Sequence, residues 1–457
     1  MNQNNNIGND VNSLYPNNRY AWFMVVLLTT AYIFSYIDRY ILGLLVEPIK
    51  ADLGLTDTQI GMLMGPAFGL VYATMGLPIG WLADNKRRTF VIAAGIGLWS
   101  FATAATGLAK SFMHVFIARM GVGIGEAALS PTAMSIISDT FPPGKRGRPI
   151  AFYTAALSLG AGIASLIAAG VLSWAKTVPE VQLGPIGPLA PWQLIFIIVG
   201  APGLLLAVVF LFLKEPPRVR DKTEASTGSS SFADMRAYVR ARWVPYCGII
   251  ALFSLMLIVA YSQGWLAATF ERTWGWSAEK YVLINAIILL SVGPATVNFA
   301  GWLCDRLHQK GRVDAPYLIL FTGVAILVPS AFIATLMPTP ELAMAVLAIT
   351  TFGIAMASAV GVTALLHITP TRISAQVTAL YYMVAGLAGL FLGPLTVSLL
   401  SDNVFGNENL RYAMSSVPLI FGVPALMFGW YAMRFYVAEL EKMNLQSTHP
   451  RMKLNPI

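Results

Sequence analysis

Long apolar runs recur along the whole chain, and short polar segments separate them. Twelve of these runs reach the roughly 20 residues that an α-helix needs to cross a hydrocarbon core of about 30 Å. They lie at 20–47, 57–83, 88–109, 112–140, 147–174, 192–213, 243–270, 277–304, 315–336, 340–367, 372–400 and 412–436. The runs lack the period-two alternation of transmembrane barrel strands. The pattern therefore predicts an all-α integral membrane protein with twelve transmembrane helices.

Local signals support several boundaries of these runs. Thr56 and Gln59 have the spacing of a capping box at the start of the second run, and Pro142-Pro143-Gly144 ends the fourth. The one long polar interruption divides the runs into two sets of six. The expected organisation is a flexible polar tail (1–18), an N-terminal six-helix half (19–213), a cytoplasmic linker (214–242), a C-terminal six-helix half (243–437) and a cytoplasmic C-terminal tail (438–457).

Composition agrees with this class and excludes several functions. Hydrophobic residues make up 56% of the chain and charged residues 11%, whereas a soluble domain carries about a quarter charged residues. With only Cys247 and Cys304, neither a disulfide framework nor a metal site is expected. Motifs of metalloproteases, nucleophile elbows, cofactor sites and ATP-binding loops are absent from the sequence, so we expect no enzyme and no cofactor.

The distribution of basic residues predicts the orientation in the membrane. Of the 30 Lys and Arg residues, 22 lie in the tails and even-numbered connections, six lie on the other side, and Arg39 and Arg119 lie within spans. Both termini are therefore expected in the cytoplasm, with the chain in the cell (inner) membrane. Basic loops facing an anionic leaflet account for the net charge of +8 without a nucleic-acid partner. One chain with two halves can enclose a pathway, so a monomer is expected.

Four charged side chains fall deep within the spans, at Asp38, Arg39, Arg119 and Glu126. A charge at the bilayer centre costs about 2.5–3.5 kcal/mol on insertion scales, so these groups are expected to face a partner or a water-filled cavity. Arg119 and Glu126, seven residues apart, return to nearly the same helix face. Gly121, Gly123 and Gly125 remove side chains beside Glu126, which permits close approach of another helix or of substrate.

Two related pentapeptides indicate an internal repeat. Gly80-Trp81-Leu82-Ala83-Asp84 ends the second run, and Gly301-Trp302-Leu303-Cys304-Asp305 ends the eighth. Here the chain resembles the major facilitator superfamily, in which two six-helix halves surround a central cavity. In that family the loop after the first pentapeptide is a cytoplasmic gate, although Asn85 and Arg87 depart from its usual pattern. The resemblance implies gate roles for Asp84, Arg88, Arg146, Asp305 and Arg306.

A second set of residues is similar to the Spinster branch of this superfamily. It consists of Ser35-Tyr36-Ile37-Asp38-Arg39-Tyr40, of Arg119 with Gly123-x-Gly125-Glu126-Ala127, and of Asp139-x-Phe141-Pro142 with Arg146. Members of this branch are associated with the transport of sphingolipids, lysolipids and related amphiphiles. The resemblance covers most of the N-terminal half and is weaker in the C-terminal half.

These observations lead to a functional hypothesis. We expect a secondary active transporter in which Asp38 and Glu126 exchange protons, Arg39 modulates them, and Arg119 supports the site or contacts a substrate headgroup. The expected substrate is an amphiphile, moved by alternating access among membrane lipids. The residues expected to contact it as well are uncharged: Tyr261, Gln263, Asn285, Tyr381 and Tyr382.

Alternative interpretations remain open on the sequence alone. The Asp38-Arg39 pair also resembles organic anion:proton symporters of the same superfamily, in which the arginine would hold a substrate carboxylate. A passive lipid scramblase or a non-transporting receptor is a different class of function. A static ion-pair cluster between the first and fourth helices would explain the same charges without proton transfer.

Overall fold

The computed structural model describes residues 15–142, 145–175, 177, 181–182, 188–218 and 232–448. The described residues are almost all helical, apart from turns and one short antiparallel hairpin in which Val181 pairs with Leu189. The helices are α1 (Asn18–Leu44), α2 (Val46–Leu53), α3 (Asp57–Met64), α4 (Pro66–Asn85), α5 (Arg88–Thr106), α6 (Phe112–Glu126), α7 (Leu129–Thr140), α8 (Gly147–Ala175), α9 (Pro191–Phe212), α10 (Phe232–Ala241), α11 (Trp243–Ser262), α12 (Leu266–Trp274), α13 (Ala278–Gln309), α14 (Ala315–Ala334), α15 (Pro340–His367), α16 (Ser374–Leu400) and α17 (Leu410–Thr448). The strands are β1 (Val181–Gln182) and β2 (Pro188–Leu189).

Each of the twelve expected spans coincides with helix in the structure. Among the described residues, ten segments are long and apolar enough to cross a membrane. The other two expected spans, 57–83 and 147–174, correspond to α3 with α4 and to α8. Large apolar side chains lie on the outside of the helices, for example Phe212 at 85% exposed and Met427 at 69%. An apolar exterior of this kind is stable in lipid, so the expected helical membrane fold is confirmed.

Several spans are broken where the sequence analysis treated them as continuous. The first ends at Leu44 and continues as the separate helix α2. The second is interrupted at Gly65–Pro66, since Pro66 has no N–H to continue the helical hydrogen bonds. The predicted capping box at its start is confirmed: Thr56 Oγ1 accepts the Gln59 N–H, and Gln59 Oε1 accepts the Thr56 N–H at 3.0 Å.

The contacts divide the chain into two compact units. The first combines the described part of Met1–Ser226 with Gly264–Leu290 and Pro394–Leu410. In it, α1 packs against α8, and α5 packs against both α6 and α9. Helix α12 contacts α1, and the π-helical turn Ser401–Phe405 contacts α3, which is why these later segments belong to the first unit. The contact units thus differ from the expected halves 19–213 and 243–437 along the chain.

The second unit contains the described part of Thr227–Gln263, with Ser291–Gly393 and the described part of Arg411–Ile457. Helices α14 and α15 pack closely here, and α11 contacts both of them. A Cβ at Gly353 would lie 2.9 Å from the Gly323 carbonyl oxygen, so only glycine permits this backbone approach. The first unit repeats the arrangement between α5 and α6, where Gly95 and Gly125 approach each other in the same way. The paired glycines are a second sign of the internal repeat.

The chain termini differ in part from expectation. Residues 1–14 of the expected flexible tail lie outside the described residues, and α1 already begins at Asn18. The last expected span ended at 436, but α17 continues to Thr448, so the first part of the expected C-terminal tail is helical. This segment contains helix-favouring residues, and a helix need not end where its apolar run ends. Residues 219–231 of the expected linker and 449–457 of the expected tail also lie outside the described residues.

Candidate functional site

Two helices of the first unit bring the four deep charges together. Asp38 and Arg39 lie on α1, and Arg119 and Glu126 lie on α6. Three of these residues are almost completely buried, with exposed fractions of 3% for Asp38, 2% for Arg119 and 1% for Glu126. The side chain of Arg39 keeps 14% of its surface exposed. Buried charges of opposite sign must compensate one another, because each loses its hydration.

The Glu126 carboxylate is bound through one oxygen. Its Oε2 accepts hydrogen bonds from Arg39 Nε at 2.6 Å and from Ser35 Oγ at 2.7 Å, and Arg39 Nη2 lies 2.5 Å from the same oxygen. The other oxygen, Oε1, is buried and has no hydrogen-bond partner among the described residues. A buried acceptor without a partner costs about 1–3 kcal/mol. The site therefore offers Glu126 a strong cationic partner but leaves half of the carboxylate unsatisfied.

Arg119 makes a different kind of contact. Its Nη1 donates to the backbone carbonyl of Asp38 at 3.3 Å, and its Nε donates to the carbonyl of Leu63 at 3.4 Å. Leu63 lies in the last turn of α3, just before the break at Gly65–Pro66, where carbonyl groups become available to side-chain donors. Arg119 thus ties α6 to α1 and α3, and it lies within electrostatic range of Asp38 and Glu126.

The Asp38 carboxyl is the second acidic group of the cluster. Its electrostatic neighbours are Glu126, Arg119 and Arg39, and the Thr103 hydroxyl of α5 lies beside it. The four charges sum to zero when both carboxyls are ionised. Binding one proton would leave the cluster with a net positive charge.

Aromatic rings surround the guanidinium group of Arg39. The Arg39 Cζ lies 4.8 Å from the Phe68 ring centroid, 5.2 Å from that of Tyr72 and 5.6 Å from that of Tyr36. Tyr36 belongs to the motif on α1, but Phe68 and Tyr72 on α4 were not predicted from the sequence. Their only local signal is a position just after Gly65–Pro66, where the chain changes direction.

The predicted role of the glycines beside Glu126 differs from one glycine to the next. A Cβ at Gly123 would lie 2.7 Å from the Phe68 carbonyl oxygen, and one at Gly125 would lie 2.6 Å from the Gly95 carbonyl oxygen. These two positions permit contact with α4 and α5. At Gly121 the nearest atom would be the Cβ of Ala102 at 3.0 Å, a less demanding contact.

Arg88 is the best-connected residue of the predicted cytoplasmic gate. It is 1% exposed and forms ion pairs with Asp139 on α7 and with Glu215, whose Oε1 lies 2.8 Å from Arg88 Nε. Glu215 Oε2 also accepts the Thr89 backbone N–H at 3.1 Å, which caps the start of α5. Burial alone would raise the pKa of Glu215, but hydrogen bonds from Arg88 and Thr89 outweigh it and the pKa lies below its ordinary value. Arg88 therefore links three segments of the first unit.

The other predicted gate residues have fewer contacts. Arg146, which precedes α8, donates through Nε to the carbonyl of Phe141, which follows α7, at 3.0 Å. The side chain of Asp84 lies outside the described residues. In the second unit Asp305 is exposed, and the guanidinium of Arg306 lies 5.2 Å from the ring centroid of Trp302.

The residues predicted to contact substrate are dispersed. Arg119 on α6 and Asn285 on α13 belong to the first unit, whereas Tyr261, Gln263, Tyr381 and Tyr382 lie in the second unit. Tyr261 and Gln263 are partly buried at the end of α11. Tyr382 is 52% exposed, but Tyr381 is fully buried in the core and stacks on Phe253 with ring centroids 4.6 Å apart. Tyr381 is therefore not accessible to a solute in this structure.

A second buried ion-pair cluster in the first unit was not predicted. The Asp57 side chain is fully buried, and its Oδ1 and Oδ2 accept hydrogen bonds from Arg272 at 2.9 and 2.7 Å. Oδ1 also accepts from Lys50 Nζ at 2.6 Å, and Oδ2 accepts from Ser401 Oγ at 2.7 Å. Glu47 Oε1 lies 2.7 Å from Arg272 Nη2. No local sequence pattern indicates this cluster, because its members come from segments that are distant along the chain.

Comparison with known proteins decides the family. The model of the Major Facilitator Superfamily matches residues 28–394. This chain belongs to the Major Facilitator Superfamily. It is thus a multi-pass integral membrane transporter of that superfamily rather than an enzyme, as the sequence predicted.

Individual relatives are named for different transport activities. An MFS-type efflux pump of Mycolicibacterium smegmatis is 28% identical over 405 residues, which cover 84% of this chain and 86% of that protein. The hexuronate transporter of Bacillus subtilis strain 168 is 24% identical over 393 residues, 83% of this chain and 87% of the relative.

Among solved structures, the fold matches the crystal structure of a bacterial homologue of the human lysosomal transporter Spinster in an inward-facing, unoccupied conformation. The TM-score is 0.80 with 24% identity, and the match covers 93% of this chain and 99% of the other. The predicted resemblance to the Spinster branch is therefore confirmed at the level of the fold.

Proposed function

We propose that this superfamily member is a proton-coupled secondary transporter that moves an amphiphilic, lipid-like substrate by alternating access. The observation that carries this proposal is the one-sided binding of Glu126. Three donor atoms from Arg39 and Ser35 surround Oε2, while Oε1 is buried without a hydrogen-bond partner among the described residues. A proton on Oε1 would neutralise the carboxylate without displacing any of these donors.

Protonation of Glu126 changes the energy of the whole cluster. Arg39 loses its anionic partner, and the remaining charges become Asp38, Arg39 and Arg119. A change in ion pairing between α1 and α6 biases any equilibrium between two packings of these helices. Asp38 is the second proposed proton carrier, because it is buried within range of the same arginines.

The proposed substrate class follows from the surroundings of Arg39. This side chain keeps 14% of its surface exposed, and aromatic rings of α1 and α4 surround its guanidinium. A guanidinium released from Glu126 can hold an anionic headgroup, and apolar rings beside it suit an adjoining hydrocarbon chain. The resemblance of the motifs around Asp38 and Glu126 to the Spinster branch supports the same class.

A specific observation favours a second candidate, an organic anion:proton symporter. The hexuronate transporter of Bacillus subtilis is a relative over most of this chain, and Arg39 could equally hold the carboxylate of a small sugar acid. Competition separates the two candidates. If the substrate is an amphiphile, lysolipids should inhibit uptake of the labelled substrate. If it is a sugar acid, hexuronates should inhibit that uptake instead.

The roles of the gate and the orientation belong to the same proposal. The ion pairs of Arg88 with Asp139 and Glu215 support a cytoplasmic gate role for Arg88 in the first unit. The same role is proposed for Asp84 and Arg146 in that unit, and for Asp305 and Arg306 in the second unit. The excess of basic residues in even-numbered connections supports cytoplasmic termini in the cell membrane. A fluorescent protein fused to the C-terminus should then fluoresce in cells. A reporter that is active only outside the cytoplasm should be inactive when it is fused at the same position.

Proteoliposomes with an imposed pH gradient test the function. Purified wild-type protein is expected to accumulate a labelled lysolipid with an anionic headgroup above the level reached without a gradient. Glu126→Gln imitates the protonated carboxyl, so accumulation should fall at least tenfold while exchange of substrate without a gradient persists. Asp38→Asn is expected to weaken accumulation as well.

A matched control removes a carboxylate outside the site. Glu341 is exposed in the first turn of α15, so Glu341→Gln should leave accumulation unchanged. Normal gradient-driven accumulation in both Glu126→Gln and Asp38→Asn would contradict proton coupling. If a gradient never drives accumulation by the wild-type protein, a passive scramblase becomes the better description.

A further inference from the structure

The ring of Phe68 contacts both arginines of the charged cluster. Its centroid lies 4.8 Å from Arg39 Cζ and 5.4 Å from Arg119 Cζ. The side chain comes from α4, a helix that carries neither arginine, and it is 1% exposed. The face of an aromatic ring attracts cations, and this attraction strengthens when the groups are shielded from water. One ring therefore stabilises two like charges that would otherwise repel each other.

The backbone holds this ring in a fixed position relative to Glu126. A Cβ at Gly123 would lie 2.7 Å from the Phe68 carbonyl oxygen and 3.3 Å from the Tyr72 nitrogen, so α6 and α4 touch through their backbones here. Gly123 lies on α6 between Arg119 and Glu126. Because interiors are close-packed, a ring anchored at this contact cannot move independently of Glu126.

Arg39 reaches this contact from a third helix. Its position depends on two sets of forces, the ion pair with Glu126 and the rings of α1 and α4. An arginine side chain has many rotamers, and ordering it costs conformational entropy. A ring that restricts the guanidinium lowers the entropy lost when the ion pair forms.

We propose that Phe68 is a positioning residue of the coupling site, whose ring holds the Arg39 guanidinium against Glu126 and thereby sets the pH at which the transporter takes up its proton. This inference rests on the proposed proton-carrying role of Glu126. It adds a residue on α4 to a site that the sequence assigned to α1 and α6.

Several titratable or charged groups surround Arg39 and could contribute to the pH dependence of uptake. Those on α1 are Asp38, Tyr32 and Tyr36, those on α6 are Arg119 and Glu126, Tyr72 lies on α4, and Tyr153 lies on α8. The tyrosines stay neutral at ordinary pH. The two carboxyls are therefore the groups whose protonation the proposed coupling uses.

The direction of the expected shift follows from the ion pair. Without the ring, Arg39 is held less firmly and stabilises the ionised form of Glu126 less well. A carboxylate that loses part of its cationic partner binds a proton at higher pH. Phe68→Leu should therefore move the pH midpoint of gradient-driven uptake upward by roughly half a pH unit to one unit.

Uptake into proteoliposomes across a series of pH values provides the test. Phe68→Leu and Phe68→Met both lack the ring, so one of them remains informative if the other folds poorly. Phe68→Tyr keeps the ring and should restore the wild-type midpoint. Phe101→Leu is the control, since Phe101 is 65% exposed on α5 and should change nothing. The midpoint does not depend on the amount of folded protein, so a merely structural defect would lower the rate without moving it.

The possible outcomes are distinct. An upward shift in the ring-lacking variants with recovery in Phe68→Tyr supports the inference. The inference is overturned if the midpoint is unchanged or moves downward in Phe68→Leu and Phe68→Met. It is also overturned if Phe68→Tyr shows the same shift as these two variants. If Glu126→Gln abolishes accumulation but Phe68→Leu has the wild-type pH profile of uptake, the positioning role of Phe68 is wrong and the proposed function still stands. If Glu126→Gln accumulates normally, the proposed function itself fails.

Discussion

Replacing Asp57 by asparagine removes the central charge of the second buried cluster in the first unit. The wild-type carboxylate accepts hydrogen bonds from Lys50 Nζ, from two nitrogens of Arg272 and from Ser401 Oγ. Asparagine has nearly the same shape, but its amide nitrogen would point a donor at one of these donors. The substitution thus changes charge and hydrogen bonding while it leaves the volume almost unchanged.

The magnitude follows from burial and from the number of charged donors. The Asp57 side chain is 0% exposed and that of Arg272 is 10% exposed, so solvent screens their attraction weakly. Removing one partner of a buried ion pair typically costs about 3–5 kcal/mol, because the other charge is left uncompensated. We expect Asp57→Asn to lower the free energy of unfolding by about this amount, somewhat reduced because Glu47 still pairs with Arg272.

The assay is unfolding of the purified protein in mixed micelles, followed by tryptophan fluorescence. Variants Asp57→Asn, Arg272→Gln and the double variant form a double-mutant cycle. The double variant should lose about 1–3 kcal/mol less than the sum of the single losses, because the two groups interact directly.

An ion pair whose arginine is exposed to solvent is the control. Arg312 contacts both oxygens of Asp314 at 3.0 Å, but the Arg312 side chain is 52% exposed. Such surface pairs contribute about 0–1 kcal/mol, so Asp314→Asn should have little effect. Equal losses for Asp57→Asn and Asp314→Asn, or strictly additive losses in the cycle, would refute the reasoning.

Two further predictions concern the first unit, one the ion pairs of Glu215 and the other the packing of α5 against α6. Hydrogen bonds lower the pKa of Glu215 from its ordinary 4.5, so the ionised carboxylate stabilises the fold above that pH. This contribution to stability disappears as the pH falls through the lowered pKa. The difference in melting temperature between wild type and Glu215→Gln should therefore be present at pH 7 and vanish well below pH 4.5. Gly125→Val should lower the yield of folded protein, measured by fluorescence-detected size-exclusion chromatography, because its Cβ would lie 2.6 Å from the Gly95 carbonyl oxygen and overpacking costs about 1–3 kcal/mol or more. Gly170→Ala is its control, because the added Cβ would meet no atom of a neighbouring segment within 4 Å among the described residues. A yield as low as that of Gly125→Val would contradict the packing explanation. A melting-temperature difference as large in acid as at pH 7 would contradict the role of Glu215.

The candidate site was only partly predictable. The residues on α1 and α6 could be found because charges within apolar runs are rare and costly. The seven-residue spacing correctly placed Arg119 and Glu126 in one region. It did not reveal that Glu126 forms its ion pair with Arg39 on another helix, while Arg119 donates to backbone carbonyls. Phe68 carries no signal of its own, because a phenylalanine in a transmembrane run is ordinary.

The hydrophobic pattern by itself determined the membrane class, the positions of the twelve spans and the capping box at Thr56. These properties depend on neighbours along the chain, since burial in lipid and helical hydrogen bonds are local requirements. Only the tertiary structure decided which charges meet. Asp57 pairs with Arg272 across 215 positions, and Arg39 pairs with Glu126 across 87. Such pairs form because the packing of helices brings distant residues together in a medium that cannot solvate them, and no local pattern records that choice.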